Sequence, residues 1–184
     1  MSVIDLIKRR FARPPEPVRA AVAADPDEDV LAWGALVRDE GWLAATSRGL
    51  RVIGAEPADV LPWHLVATAR WAGTADGGGS FTVTPLTEVE PGVQARLPQQ
   101  RYALADAGDL PAVVRRRVDQ TVVASRRYPL PDRGGVLLVA RRVPGQAAKE
   151  WTVVFDDETD RTDPAARDVA RQKLAEAVAA EQPA

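Results

Sequence analysis

The chain lacks cysteine entirely and has one histidine in 184 residues. Without cysteine there is no disulfide, no thiolate nucleophile, no iron–sulfur cluster and no cysteine-bound zinc, and an oxidising compartment is not required. A single histidine, His64, excludes a multi-histidine metal centre within one chain. Long apolar runs are also missing: none approaches the ~20 residues that span a bilayer. The first residues, Met-Ser-Val-Ile-Asp-Leu-Ile-Lys-Arg-Arg-Phe, place their charges after the apolar positions. A secretory signal has the reverse order and a longer apolar stretch. The expected location is therefore the cytoplasm.

What is present describes a folded domain. The apolar share is 46% and the charged share 27%, the balance of a soluble globular protein. The length suffices to bury one substantial core without a staple. Charge is distributed unevenly, although the formal net value is only -2. Residues 110–149 carry nine arginines and lysines against two aspartates, whereas residues 14–109 carry seven positive and fourteen negative side chains. A local field of this kind can recruit a partner that the net charge would not suggest.

The chain reads as two regions, residues 1–29 and 30–184. In the first, Val3, Ile4, Ile7 and Phe11 recur at helical spacing, with Lys8, Arg9, Arg10 and Arg13 mostly on other faces. Pro14, Pro15 and Pro17 are expected to end that short basic helix. The run Asp25-Pro26-Asp27-Glu28-Asp29 is expected to be a polar connection.

Strands dominate from Val30. Val30–Val37 is the first, and Trp42–Thr46 and Leu50–Ile53 form a hairpin about Ser47-Arg48-Gly49. Leu61–Trp71 alternates, with Leu61, Trp63, Leu65, Ala67, Ala69 and Trp71 on one face and Val66 as the apolar exception on the other. Short strands are expected at Phe81–Thr84, Val93–Leu97 and Arg101–Leu104. Asp109 opens a helix with Pro111 in its first turn and a buried stripe of Leu110, Val113, Val114 and Val118. Strands follow at Thr121–Tyr128, Val136–Arg142 and Trp151–Phe155. A last helix starts at the Asp163 cap with Pro164 after it, and Ala166, Ala170, Leu174, Ala177 and Val178 form its apolar face. The expected class is α+β: a strongly bent antiparallel sheet or open barrel, capped by a C-terminal helix, with one helix between strands.

The residues Gly41-Trp42-Leu43-Ala44-Ala45-Thr46-Ser47-Arg48-Gly49-Leu50-Arg51-Val52, followed by Leu61-Pro62-Trp63-His64-Leu65-Val66, resemble a hairpin and strand of bacterial pleckstrin-homology-like (PH-like) domains. Over roughly residues 28–180 the chain also resembles an uncharacterised actinobacterial family. The matching stretches are Leu110-Pro111-Ala112-Val113-Val114-Arg115-Arg116-Arg117-Val118, Ala140-Arg141-Arg142 and Trp151-Thr152-Val153-Val154-Phe155-Asp156. The resemblance implies a seven-stranded bent sheet or barrel capped by the last helix; the helix at 109–118 departs from the simplest version of that fold, as an insertion would. It does not carry over phosphoinositide binding, because no basic loop of that kind can be matched here.

No catalytic set emerges. His64 is the one conventional general base, and no motif links it to a nucleophile; Ser47 and Ser125 lack a nucleophile-elbow context. Asp156, Glu158 and Asp160 alternate as calcium ligands do, but Arg161 stands where the turn glycine belongs, so no metal is expected. Gly77-Gly78-Gly79 does not open a helix and has no following lysine, which fits a hairpin tip and not a phosphate cradle. Trp63 and Trp71 share a strand face with Leu61 and Leu65, which favours core packing, and Trp33, Trp42 and Trp151 also lie in expected strands. The arginines remain. Arg126 and Arg127 are adjacent in a strand and so face opposite ways, as do Arg141 and Arg142; one of each pair, with Arg115 and Arg116, can build a basic region.

The expectation is a non-enzymatic, cytoplasmic module without cofactor that binds a protein segment or an anionic membrane surface through Arg115, Arg116, Arg126, Arg127, Arg141 and Arg142. Ile4, Ile7, Lys8, Arg9, Arg10 and Phe11 would dock the N-terminal segment on a partner or at the membrane periphery. The alternatives are an oligomer-forming scaffold, made of copies of this chain, and a protein that binds an anionic ligand. Nucleic acid is disfavoured by the absence of a recognised motif and by the acidic net charge.

Overall fold

The structure, a computed structural model, describes residues 13–38, 41–54, 59–130, 133–144 and 146–181. The expected helix over residues 3–13, with Ile4, Ile7, Lys8, Arg9, Arg10 and Phe11, lies outside them apart from Arg13. The described residues form an α+β protein rich in strands, with three α-helices, the last at the C-terminal end. The pairing of the strands is open and does not close into a barrel. Two compact units are distinguished. One comprises the described residues of Met1–Trp63 with Ala69–Val83 and Gln100–Arg117; the other comprises His64–Thr68, Thr84–Gln99 and the described residues of Val118–Ala184.

The first unit contains α1 (Glu16–Val22), β1 (Val30–Leu36), β2 (Trp42–Thr46), β3 (Gly49–Ile53) and β4 (Leu61–Pro62). It also holds most of β5 (Val66–Gly73), the start of β6 (Gly79–Glu90), β8 (Gln100–Asp106) and the start of α2 (Leu110–Thr121). Its strands run in the order β4-β3-β2-β1-β8-β6, all antiparallel along that path. β2 is central and buried on both faces, with Leu43, Ala44, Ala45 and Thr46 all inaccessible. That explains why its sequence is an apolar run and not an alternation. The β2–β3 hairpin pairs Leu43 with Val52 and Ala45 with Leu50, as expected. Gly49 is required there, because a Cβ would lie 2.2 Å from the Leu61 carbonyl oxygen of the adjoining β4.

Two of the three prolines expected to stop a helix also start one. Pro15 occupies the position before α1 and Pro17 its first turn, where a missing N–H costs nothing. α1 packs on β1 and β3, burying Val18 completely. The supposed polar connection after it is bound to the core. The Ser47 N–H donates to the Asp29 carbonyl at 2.8 Å, and the Asp29 N–H donates to Ser47 Oγ at 3.0 Å. Glu28 is buried: Arg51 donates to it twice, at 3.0 and 2.6 Å, and Thr46 Oγ1 donates at 2.6 Å. The bonds from Arg51 hold the Glu28 carboxyl below its ordinary value, against the opposing effect of burial, with Thr46 assisting.

The strand expected over Leu61–Trp71 is broken. β4 ends at Pro62, a 3-10 turn occupies Trp63–Leu65, and β5 begins at Val66. The turn shifts the phase of the alternation. Trp63, the first residue of the turn, is buried, and so is Val66, the apparent apolar exception, directly after it.

The second unit holds the rest of β6, β7 (Val93–Arg96), β9 (Val122–Pro129), β10 (Gly135–Arg142), β11 (Lys149–Phe155) and α3 (Pro164–Ala179). Its strands run β6-β7-β11-β10-β9. The β7–β11 pairing is parallel, which corrects the expectation of a purely antiparallel sheet. Val93, Val136, Leu138, Val153 and Phe155 project from one face and pack with Leu130 against Ala166 and Ala170 of α3. α3 is capped as expected, Asp163 accepting from the N–H groups of Ala165 and Ala166. Its small residues let the helix lie close to the sheet, while Leu174 and Ala177 pack at the margin. Val178, expected on that face, is instead 44% exposed.

Candidate functional site

β9 pairs with β10 and ends the strand order of the second unit. Six successive residues, Val122 to Arg127, are exposed. A strand packed on one face would alternate, and this one does not. Its valines, Val122 and Val123, are 38% and 43% exposed on opposite sides. The segment Val122–Pro129 contains two arginines and no carboxylate. An end strand of this kind offers a row of backbone N–H and C=O groups to an additional strand.

The register decides where the arginines point. Arg126 lies opposite Leu138, on the face that carries α3, and its Nη1 approaches the Tyr128 hydroxyl at 3.5 Å. Arg127 lies opposite Leu137, on the other face, and reaches across Gly135 to an ion pair with Asp156. Arg142 shares the face of Arg126 but sits four residues along β10 from Leu138, ~13 Å at strand spacing. Arg142, Arg115 and Arg116 are exposed. Arg141 is not on the surface, being only 5% exposed. The strand-borne arginines therefore divide between two faces, with Arg126 and Arg127 flanking the β9 edge.

Around Arg141 lies a second, buried constellation on the face of the sheet opposite α3. Arg141 Nη1 donates to Thr121 Oγ1 at 3.0 Å, and that hydroxyl donates in turn to the Val118 carbonyl at 2.7 Å. Among the described residues Arg141 Nε has no acceptor. Thr152 and Gln94, on β11 and β7, are buried on the same face, and Thr152 Oγ1 and Gln94 Oε1 are also without partners among the described residues. His64, half-buried, has an unpartnered Nδ1. Burial pushes the imidazole below its ordinary pKa; the charge of Glu150 opposes that shift and the charge of Arg141 adds to it. Burial likewise lowers the value of Arg141.

The acidic cluster after β11 is used structurally. Asp156 pairs with Arg127, Asp157 with Arg96 and Glu158 with Arg133, Asp160 accepts from Thr162, and Asp163 caps α3. Among the described residues no group of three or more His, Cys, Asp or Glu is placed to hold a metal ion. No helix among them is long and apolar enough to cross a membrane.

Neither the exposure of β9 nor the burial of Arg141 was foreseen from the residues. The first had a signal, since Val-Val-Ala-Ser-Arg-Arg-Tyr-Pro lacks alternation. The second had a weaker one: Arg141 directly follows the apolar run Val136–Ala140. Compared with protein families, curated proteins and solved structures, the chain matches none.

Proposed function

We propose that the chain is a non-enzymatic, cytoplasmic interaction domain of PH-like type that accepts an extended acidic segment of a protein partner along β9. The observation that carries this reading is the uninterrupted exposure of Val122–Arg127 on the end strand of the sheet. Backbone pairing supplies affinity in strand addition, and alternate side chains supply selectivity. Here the alternate positions offer Val122 and Val123 at one end and Arg126 and Arg127 at the other. The matching segment is apolar at one end and acidic at the other. Pairing of two copies through β9 would gather four arginines with no carboxylate on the paired strands, so the charge disfavours self-association at this edge.

The test uses the full chain and fluorescent extended peptides that differ only in acidic, neutral or basic character. The acidic peptide binds best, and binding weakens as salt rises. R126E, at an exposed position, weakens it by about tenfold without loss of stability. Equal binding of all three peptides refutes the reading. Binding to anionic vesicles but not to acidic peptide assigns the surface to membrane docking instead.

A further inference from the structure

We propose that Arg141 anchors an internal binding site for a small oxyanion, a carboxylate or a phosphate, on the sheet face opposite α3. The inference is independent of partner docking at β9.

A guanidinium keeps its proton throughout the physiological range. Arg141 is therefore a permanent positive charge held 5% exposed. Among the described residues no carboxylate forms an ion pair with it, and the one side chain that accepts from it is the neutral Thr121. Burying a charge without an opposite charge costs several kcal/mol. The fold places this cation there directly after the apolar run Val136–Ala140 of β10.

Of the unpartnered buried groups on this face, Arg141 Nε–H and the Thr152 hydroxyl are donors suited to an anion, whereas Gln94 Oε1 is an acceptor and would lie away from it. Val139 pairs with Thr152 and Arg141 with Glu150, so Thr152 is a diagonal neighbour of Arg141 on one face. Diagonal Cβ atoms are ~7 Å apart, within bridging distance for a small ligand. The Thr152 hydroxyl and Arg141 Nε–H are both donors without acceptors. His64 Nδ1 is also unpartnered, and His64 lies close enough to feel the charge of Arg141. Arg141 brings fixed donor geometry suited to a carboxylate or phosphate. Glu150 is the competing anion within the chain. It faces Arg141 across the ladder, yet it is exposed and forms no ion pair with Arg141.

The experiment titrates the full chain with sodium phosphate, and separately with sodium acetate, at constant ionic strength made up with chloride. Arginine Nε–H resonances are followed by NMR and assigned through bonds. Either anion is expected to move the Arg141 Nε–H resonance saturably and raise the melting temperature. Response to phosphate alone, acetate alone or both identifies the oxyanion class and supports the site. T152V, which keeps side-chain shape, is expected to weaken binding about tenfold, whereas E150Q leaves it unchanged or tighter. R142K, altering the exposed neighbour, keeps full binding. An Arg141 resonance unmoved by millimolar amounts of both anions overturns the proposal. So does a large loss of stability in E150Q together with no anion response, which would make Glu150 the partner.

Discussion

Replacing Glu28 by glutamine tests how the first unit is held together. The Glu28 side chain is wholly inaccessible, and three donated hydrogen bonds converge on it. Glutamine preserves the size and one oxygen acceptor, so Thr46 can keep its bond. The negative charge facing Arg51 is lost. Removing one member of a buried ion pair costs about 3–5 kcal/mol, but Arg51 remains 20% exposed and recovers part of its hydration. A loss of about 2 kcal/mol is expected, close to one charge-assisted hydrogen bond. For a chain of this length that lowers the melting temperature by roughly 4–8 °C.

The pH dependence follows from the direction of the Glu28 shift. The folded-state value lies below the ordinary 4.5. The charged form therefore contributes stability that is fully present above the unfolded value and is lost as pH falls through the folded one. Urea unfolding of wild type and E28Q at a series of pH values is the assay. The difference between them should be constant near neutrality and shrink below about pH 4.5. In a double-mutant cycle with R51M, the coupling should be about 1.5 kcal/mol or more. A difference that does not change with pH, or a coupling near zero, would show that Glu28 is held by packing alone.

Other substitutions probe the second unit, with thermal or urea unfolding as the common readout. D163A removes the oxygens that accept from Ala165 and Ala166 N–H and should cost about 1 kcal/mol. A170L forces a larger side chain into a fully buried position between α3 and the sheet and should cost about 1–3 kcal/mol. G134A should cost about 2–3 kcal/mol, combining positive φ with the displacement of a hydrogen-bonded threonine. Gly134 has φ +76°, and an added Cβ would lie 2.3 Å from Thr159 Oγ1, which closes its turn onto Gly135.

Elements with strong local signals are legible in the amino-acid sequence. The β2–β3 hairpin has a compact turn between apolar runs, α2 has a one-sided stripe, and α3 has both an Asp163 cap and a small-residue face. Features set by tertiary context were not readable. The prolines before α1 signal a helix end as well as a helix start. The 3-10 turn at Trp63–Leu65 sits inside a pattern that alternates as a single strand would. Glu28 looks like a solvated loop residue because its partners, Thr46 and Arg51, follow 18 and 23 positions later. Each arginine pair splits between two faces, as adjacent strand residues must, but the burial of Arg141 depends on what lies against its face, and neither Arg126 nor Arg127 is buried. Local sequence marks that only weakly, through the apolar run before Arg141 and the lack of alternation in β9.

Hydrogen exchange on the full chain, with and without the acidic extended peptide, measures the central claim most directly. Pairing along β9 predicts slowed exchange of backbone amides within Val122–Tyr128, with α3 unchanged and about tenfold more peptide needed for the same protection in R126E. Protection confined to other segments, or none at saturating peptide, contradicts it.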